Sequence, residues 1–235
     1  MNRRSIVGGA LVAAWAGAAG GTGGHETRPL KRGPQPADLD NGDLHPSALT
    51  LFVIRHAEKP DDPALGPGLT SRGETHKRSL ALRGWQRAGA WTTLFGSECH
   101  RADYPTPDVV FAANPNARPT EGNLVSRRPY ETIEPLCQKI GSGPIVDFGI
   151  GDELAMLNAA RGKRGVVLIC WEHNRIGDAI LPELAKGQKI PGLPTRWDDA
   201  RFDVALRFDR PRSDAPWTFR QLFPRLLAGD SNIPL

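Results

Sequence analysis

The chain contains 235 residues, of which 39% are hydrophobic and 24% are charged. This ordinary globular composition allows one well-buried core and is too small for two typical domains with a tail besides. The formal net charge is +4, but the basic residues are scattered and few aromatic residues lie among them, so nucleic-acid binding is not favoured.

Residues 1–24 differ in composition from the rest of the chain. Arg3 and Arg4 precede an uncharged segment, residues 5–24, that is rich in alanine and glycine. A basic start followed by an apolar stretch and small residues is typical of an export signal, and adjacent arginines indicate the twin-arginine route. Weak hydrophobicity favours cleavage over a stable membrane span. We expect a periplasmic or extracellular protein that contacts a membrane only through an uncleaved N-terminus; the alternative is a cytoplasmic protein.

A linker and one folded domain follow. Residues 25–48 carry polar residues, prolines and glycines without a regular period, which predicts a linker. We assign residues 49–235 to a single α/β domain. A short apolar run, Leu51–Ile54, is typical of a buried strand. Arg55 and His56 come directly after it, at the carboxyl end of the strand, where open α/β sheets bind their ligands.

Helical and strand patterns alternate through the middle of the chain. Apolar residues in residues 70–95 recur every three or four positions, which predicts a helix interrupted at Gly84. Val109–Phe111 and residues 144–148 predict strands, and a helix is expected to begin at Pro129. We expect three arginines near the first helix to lie on a solvated face, namely Arg78, Arg83 and Arg87.

A second apolar run that leads to a histidine lies far downstream. Val166–Cys170 is wholly apolar, and Trp171, Glu172 and His173 follow it. Two neighbouring buried strands of this kind would place both imidazoles at one edge of the sheet. The alternating pattern of residues 201–208 predicts a half-exposed strand near an edge of the sheet. The sequence therefore favours a two-histidine site.

These segments resemble the histidine phosphatase superfamily, the phosphoglycerate-mutase-like proteins. Arg55-His56-Ala57-Glu58 is similar to the Arg-His-Gly signature of that family, and Trp171-Glu172-His173 looks like its second histidine. Residues 126–132 are similar to its middle segment, which supplies an arginine and a threonine. Ala57 departs from the commonest form, as do the neighbours of the second histidine. The resemblance implies a three-layer α/β/α fold with a mostly parallel sheet flanked by helices.

The resemblance also implies hydrolysis of a phosphate monoester through a covalent phosphohistidine. A neutral imidazole is a competent nucleophile toward phosphorus, and His56 is our candidate. Arg55 and Arg128 would neutralise the phosphoryl oxygens, and His173 would donate to one of them. Cationic neighbours would lower the pKa of His56 and keep the ring neutral. The sequence leaves open whether Arg127 or Arg128 faces the site.

The leaving group needs a proton, and no motif fixes the position of the donor. We prefer Glu172 because it adjoins the second histidine. Asp152, Glu153 and Glu58 are the other candidates.

No metal or other cofactor is expected, because the six histidines and three cysteines show no metal-ligand spacing. Cys170 belongs to a predicted core strand, so at most Cys99 and Cys137 would form a disulfide after export. The expected ligand is a small-molecule or peptide phosphate monoester. The sequence leaves the substrate and the oligomeric state open.

Three other functions are compatible with the sequence. A phosphomutase would return the phosphoryl group to its substrate, and a non-catalytic protein would bind phosphorylated ligands without consuming them. A basic surface protein would bind anionic envelope polymers, and salt would abolish that binding.

Overall fold

The computed structural model describes residues 48–97, 102–118 and 125–235. The predicted export signal, residues 1–24, lies outside these ranges, as do Cys99 and the predicted linker except for Ala48. Among the described residues, no helix combines the length and apolar character needed to cross a membrane.

A five-stranded sheet forms the centre of the fold. The strands along the chain are β1 (Leu49–Arg55), β2 (Gly68–Leu69), β3 (Leu80–Ala81), β4 (Val109–Ala112), β5 (Gly165–Trp171), β6 (Ala205–Arg210) and β7 (Thr218–Leu222). The large sheet has the order β4-β5-β1-β6-β7. β1 and β4 both pair in parallel with β5, whereas β6 is antiparallel to β1 and to β7. Only β6 therefore runs against the other strands of this sheet, which confirms the predicted mostly parallel arrangement.

Helices cover both faces of this sheet. They are α1 (Leu82–Phe95), α2 (Arg128–Ile140), α3 (Glu153–Arg161), α4 (His173–Arg175), a π-helical segment (Ile176–Ile180) and α5 (Leu181–Leu184). α1 and α2 pack on one face through a core that includes Trp91 and Ile133. α3 and the π-helical segment pack on the other face through Met156 and Ile180. The predicted three-layer architecture is confirmed.

The neighbouring strands β1 and β5 are buried on both faces over most of their length, which explains their apolar runs, Leu51–Ile54 and Val166–Cys170. In β1, Val53 belongs to one core and Ile54 to the other. The parallel register pairs Arg55 with Trp171, and the backbone N–H of His56 donates to the Trp171 carbonyl at 3.0 Å. The residues that follow the two strands therefore emerge side by side.

The helix predicted for residues 70–95 was wrong in its first half. β2 and β3 form an antiparallel hairpin there, and α1 begins only at Leu82. Gly84 does not interrupt the helix. It lies in the first turn, where an added Cβ would come within 2.5 Å of the Glu58 carbonyl oxygen. The glycine permits close packing of α1 against the loop after β1.

The arginines expected on a solvated face have three different environments. Arg87 is only 2% exposed and forms bidentate contacts with Glu58 and Asp230, so the prediction was wrong for this residue. Arg83 also lies near Glu58, with its Nε 3.4 Å from a carboxylate oxygen. Arg78 precedes α1 and lines the cavity described below.

Two predicted strands also differ from the structure. Residues 144–148 contribute one isolated bridge, between Phe111 and Ile145, instead of a strand. β6 begins at Ala205 instead of Arg201, because the Arg201 carbonyl is bound by the side chains of Trp197 and Arg55. β6 is antiparallel to β1. It lies next to the edge strand β7, in agreement with the predicted position near an edge of the sheet.

Candidate active site

A cavity of about 680 Å³ lies at the carboxyl ends of β1 and β5. Both predicted site histidines line it. Its other described lining residues are four cations (Lys59, Arg78, Arg128 and Arg175), two carboxylates (Glu172 and Asp178), two polar residues (Ser126 and Asn174) and two apolar residues (Val125 and Ile150). Such a lining favours a polar, anionic ligand.

His56 is almost fully buried at the end of β1. Its Nδ1 lies 2.7 Å from the Ala57 carbonyl oxygen. Because a carbonyl only accepts, Nδ1 carries the proton and Nε2 keeps its lone pair. Burial and the charges of Arg55 and Arg128 lower the pKa of His56 to about 3, against the opposing effects of the Ala57 hydrogen bond and of Glu172. His56 is therefore a neutral imidazole with one unprotonated nitrogen.

Thr132 connects α2 to the loop that carries His56. The Ala57 N–H donates to Thr132 Oγ1 at 2.8 Å, and this hydroxyl donates to the Arg128 carbonyl at 2.7 Å. The side chain is fully buried. The threonine of the middle segment thus fixes the position of the histidine loop relative to Arg128.

The Arg55 guanidinium is completely buried beneath the loop that precedes β6. Its Nη1 donates to the carbonyls of Asp199 at 2.6 Å and Arg201 at 3.1 Å, and its Cζ lies 3.8 Å from the centroid of the Phe202 ring. Its Nε and Nη2 have no hydrogen-bond partner among the described residues. Burial lowers the pKa of Arg55 to about 10, although nearby carboxylates, Asp199 first, oppose this. Two unpartnered buried donors are costly unless an anion binds them.

His173 begins α4 and faces His56 across the cavity. The two ring centroids are 6.5 Å apart and the rings are nearly perpendicular. His173 Nδ1 lies 2.6 Å from Glu172 Oε1, but the direction of approach is not that of a hydrogen bond. Its Nε2 lies 2.5 Å from Asp199 Oδ1, on a side chain that is 85% exposed. An anionic oxygen therefore already lies at Nε2 of His173.

The two adjacent arginines at the start of α2 point in different directions. Arg128 lines the cavity, where its Nη2 donates to the Lys77 carbonyl at 2.9 Å and its Nε to the Ser79 carbonyl at 3.4 Å. Arg127 instead pairs with Glu131 at 3.1 Å. Arg128, and not Arg127, faces the candidate site.

Glu172 caps the N-terminus of α4. Its Oε2 accepts the Arg175 N–H at 3.0 Å, and its Oε1 accepts from the Asn174 side chain at 3.2 Å. Burial raises the pKa of Glu172, but the adjacent His173 ring and hydrogen bonds from the backbone N–H groups of Arg175 and Asn174 outweigh this and lower it to about 2. The structure therefore argues against our preferred proton donor, because an ionised carboxylate has no proton to give.

None of the other candidate donors lines the described part of the cavity. Glu58 is bound by Arg87. Glu153 is buried and accepts from Trp171 Nε1 at 3.0 Å. Asp152 precedes α3, and its side chain accepts the Gly149 N–H at 2.9 Å instead of a helical N–H.

Sequence reasoning missed Asp199 and Phe202, which lie in the loop before β6. Asp199 contacts His173, and the Phe202 ring centroid lies 6.3 Å from that of His56. No motif marks either residue, since the segment reads as an ordinary polar loop followed by an alternating strand.

The described residues contain no group of three histidine, cysteine or carboxylate side chains placed to hold a metal ion. Cys137 and Cys170 are free and buried. Burial raises the pKa of both thiols, that of Cys137 to about 12. Metal independence of the site remains a prediction.

The order of the motifs and the layered α/β fold agree with the resemblance to histidine phosphatases. No protein-family model and no curated protein matches the sequence. Similar solved structures include the native structure of a mycobacterial glucosyl-3-phosphoglycerate phosphatase. The sequence identity is 15% and the TM-score is 0.40, and the aligned region covers 75% of this chain and 98% of the phosphatase chain. A second structure, named "Mycobacterial hydrolase 2", has 17% sequence identity and a TM-score of 0.43. Its aligned region covers 79% of this chain and 94% of the hydrolase chain. At this level of similarity the activities of those proteins do not transfer to this chain.

Proposed function

We propose that this protein hydrolyses phosphate monoesters through a phosphohistidine formed at Nε2 of His56. The proposal is supported above all by two buried groups at the end of β1. His56 presents a neutral ring with its Nε2 unprotonated, and the neighbouring Arg55 has two donors without partners. A phosphoryl group supplies an electrophilic phosphorus for His56 and acceptor oxygens for Arg55.

In the first step, the lone pair of His56 Nε2 attacks phosphorus and the ester P–O bond breaks. Positive charge develops on the ring, and the Ala57 carbonyl stabilises it through the Nδ1–H bond. Arg55 and Arg128 neutralise the phosphoryl oxygens, and His173 donates to one of them. The leaving oxygen departs toward the open side of the cavity and takes a proton there.

In the second step, water attacks phosphorus and the N–P bond breaks. Inorganic phosphate leaves, the proton lost by water passes to solvent, and His56 Nε2 recovers its lone pair. The same contacts to the phosphoryl oxygens serve both steps, which is the main advantage of a fixed electrostatic site.

Asp199 must move for this reaction to proceed. Its carboxylate lies at His173 Nε2, the position that a phosphoryl oxygen takes in the proposed complex. Because this side chain is largely exposed, it can rotate into solvent at little cost.

Hydrolysis of p-nitrophenyl phosphate in the presence of EDTA tests the proposal. We expect chelator-resistant turnover that is lost in His56→Ala and kept in His76→Ala, a control histidine that does not line the described part of the cavity. Turnover that survives His56→Ala would contradict the proposed nucleophile, and loss with EDTA would contradict metal independence. Absence of turnover on this and on a panel of phosphate esters, by a folded protein, would instead indicate a binding protein.

A further inference from the structure

We propose that the ring of Phe202 orients the buried guanidinium of Arg55 for the reaction. Its neighbours Arg201 and Asp203 hold the ring in place through contacts with the backbone of residues 231–233. This inference rests on the proposed function and adds to it the residues that orient Arg55. Phe202 acts through Arg55 and touches no reacting atom, so it is a positioning residue.

Hydrogen bonds fix only one corner of the Arg55 guanidinium. Its Nη1 donates to the carbonyls of Asp198 at 3.3 Å, Asp199 at 2.6 Å and Arg201 at 3.1 Å. Its Nε and Nη2, which the proposed reaction uses, have no partner among the described residues. The direction in which these two donors point depends on the orientation of the guanidinium plane. A contact with the face of that plane can fix them without occupying either.

The Phe202 ring makes this contact. The Arg55 Cζ lies 3.8 Å from the ring centroid, within the range of a cation–π interaction. Guanidinium groups stack on aromatic faces, and the ring offers no strong hydrogen-bond acceptor, so Nε and Nη2 remain free for phosphoryl oxygens. The centroid of the same ring lies 6.3 Å from that of His56. Phe202 therefore contacts the cation and borders the nucleophile.

Arg201 and Asp203 flank Phe202 and bind each other across it. Arg201 Nε donates to Asp203 Oδ1 at 2.7 Å, and Asp203 is only 4% exposed. Arg201 also donates to the backbone carbonyls of Ser231 at 3.2 Å and Ile233 at 2.5 Å. The Ser231 N–H donates to Asp203 Oδ2 at 2.7 Å. These contacts hold the residues on both sides of the ring.

The tripeptide Arg-Phe-Asp occurs a second time, in β6. Arg207 likewise binds the aspartate two residues on, with its Nε 2.8 Å from Asp209 Oδ2, and donates to backbone carbonyls of residues 102–103. Phe208 is fully buried in the core, and strand pairing fixes its position. Residues 201–203 lie outside the sheet. Side-chain contacts, and not strand pairing, therefore set where the first phenylalanine lies.

Binding of inorganic phosphate tests the contact between Phe202 and Arg55. Phe202→Leu keeps an apolar side chain but removes the ring, so we expect the dissociation constant for phosphate, measured by calorimetry, to rise about tenfold. The kcat/KM for p-nitrophenyl phosphate should fall by a similar factor. Phe219→Leu is the matched control, because its half-buried ring packs on Phe208 in the core, and it should leave both quantities unchanged. A phosphate affinity of Phe202→Leu equal to that of the wild type would overturn the inference.

A double variant tests whether Arg201 acts through Phe202. Arg201→Lys keeps the charge but loses the fork that joins Asp203 to the backbone carbonyls, and it should weaken phosphate binding about threefold. Because its effect passes through the ring, Arg201→Lys should add nothing to the effect of Phe202→Leu. Arg207→Lys changes the equivalent arginine of the second tripeptide and should leave phosphate affinity unchanged. Additive losses for Arg201→Lys and Phe202→Leu would refute positioning of the ring by Arg201.

The protonation of His56 separates this inference from the proposed catalysis. After burial, the charge of Arg55 contributes most to the lowered pKa of His56. Loss of the Phe202 ring admits water and releases Arg55, so His56 in Phe202→Leu should become protonated at a higher pH than in the wild type, as read from its ring ¹⁵N shifts. That result with no turnover of any ester would refute the catalysis and support the inference. Unchanged phosphate affinity and His56 protonation in Phe202→Leu, beside normal turnover in the wild type, would leave the phosphatase standing and refute the role of Phe202.

Discussion

The two ring nitrogens of His56 have different environments, and this difference determines its chemistry. Nδ1 is committed to the Ala57 carbonyl, while Nε2 keeps its lone pair beside two cationic side chains. Burial alone would remove much of the affinity of the ring for a proton, and Arg55 and Arg128 lower it further. His56 is therefore a nucleophile that stays neutral over the pH range in which an ordinary histidine becomes protonated.

Nuclear magnetic resonance of the ring nitrogens measures this state directly. With ¹⁵N-labelled histidine, we expect His56 to remain a neutral Nδ1–H tautomer from about pH 8 to about pH 5, since its pKa lies well below the ordinary histidine value. The half-buried His76 in the same sample serves as an internal comparison. Protonation of His56 near the ordinary histidine pKa would contradict the environment described here.

The same lowered pKa predicts how stability depends on pH. Between the ordinary value of 6.5 and about 3, the unfolded chain binds a proton at His56 that the folded protein does not. Stability from this group is therefore complete above pH 6.5 and decreases as the pH falls, by up to about 1.4 kcal/mol per pH unit. Urea unfolding of His56→Gln should show a flatter dependence over this range. An unchanged slope would contradict the assignment.

Glu172 is expected to support α4 and not to protonate the leaving group. Because its carboxylate is ionised, Glu172→Gln should slow hydrolysis of good and poor leaving groups by the same factor. Glu172→Ala removes the cap as well and should lower the free energy of unfolding by about 1 kcal/mol. A slowdown confined to esters with poor leaving groups would restore Glu172 as the proton donor.

At the scale of secondary structure, β1 and β5 could be predicted because their buried, wholly apolar runs differ sharply from the loops that follow. Once these strands are neighbours, their parallel register places His56 and His173 at the same edge of the sheet. This part of the site was therefore predictable. The Asp199 and Phe202 contacts were not, because long-range folding of an irregular loop brings them to the histidines.

The mistaken helix before Leu82 shows another limit of the sequence pattern. The periodic apolar residues run only from Leu80 to Leu94, whereas residues 70–79 are polar or glycine, and Leu69 and Leu80 pair across a short hairpin. Trp85 Nε1 also donates to the Leu69 carbonyl at 2.9 Å, which ties the hairpin to α1. The prediction therefore extended the helix beyond the residues whose apolar spacing supports it.

Two glycines in α1 give a matched test of how this helix supports the histidine loop. Gly84→Ala would place a Cβ against the Glu58 backbone, so we expect a loss of about 1–3 kcal/mol in stability together with reduced turnover. Gly89 has open space around its Cα, and Gly89→Ala should stabilise the protein by up to about 1 kcal/mol without loss of turnover. Equal effects of the two substitutions, measured by urea unfolding, would refute the close contact.

Across the whole molecule, a buried ion cluster joins the C-terminal segment to the start of the domain. Arg87 of α1 binds Glu58, two residues after His56, and Asp230, near the end of the chain. Asp230 also accepts the Leu227 N–H at 2.9 Å. The cluster was not predictable from sequence, because it depends on the distant chain end folding back onto α1.

Asp230→Asn tests the contribution of this cluster to stability. The substitution removes a buried charge-assisted contact to Arg87, so we expect a loss of about 2 kcal/mol in the free energy of unfolding. Asp103→Asn breaks a half-exposed pair with Arg220 and should change stability by less than about 0.5 kcal/mol. Similar losses in the two variants would show that the buried cluster has no special role.

Direct trapping of the covalent intermediate tests the central claim. The protein is mixed with a ³²P-labelled phosphate monoester, quenched rapidly in alkali, which preserves phosphohistidine, and digested for peptide mapping. We predict a label on Nε2 of His56 that appears before steady-state turnover and disappears when unlabelled substrate is added in excess. Turnover without any label at His56, or a label on another residue that follows the same kinetics, would contradict the proposed mechanism.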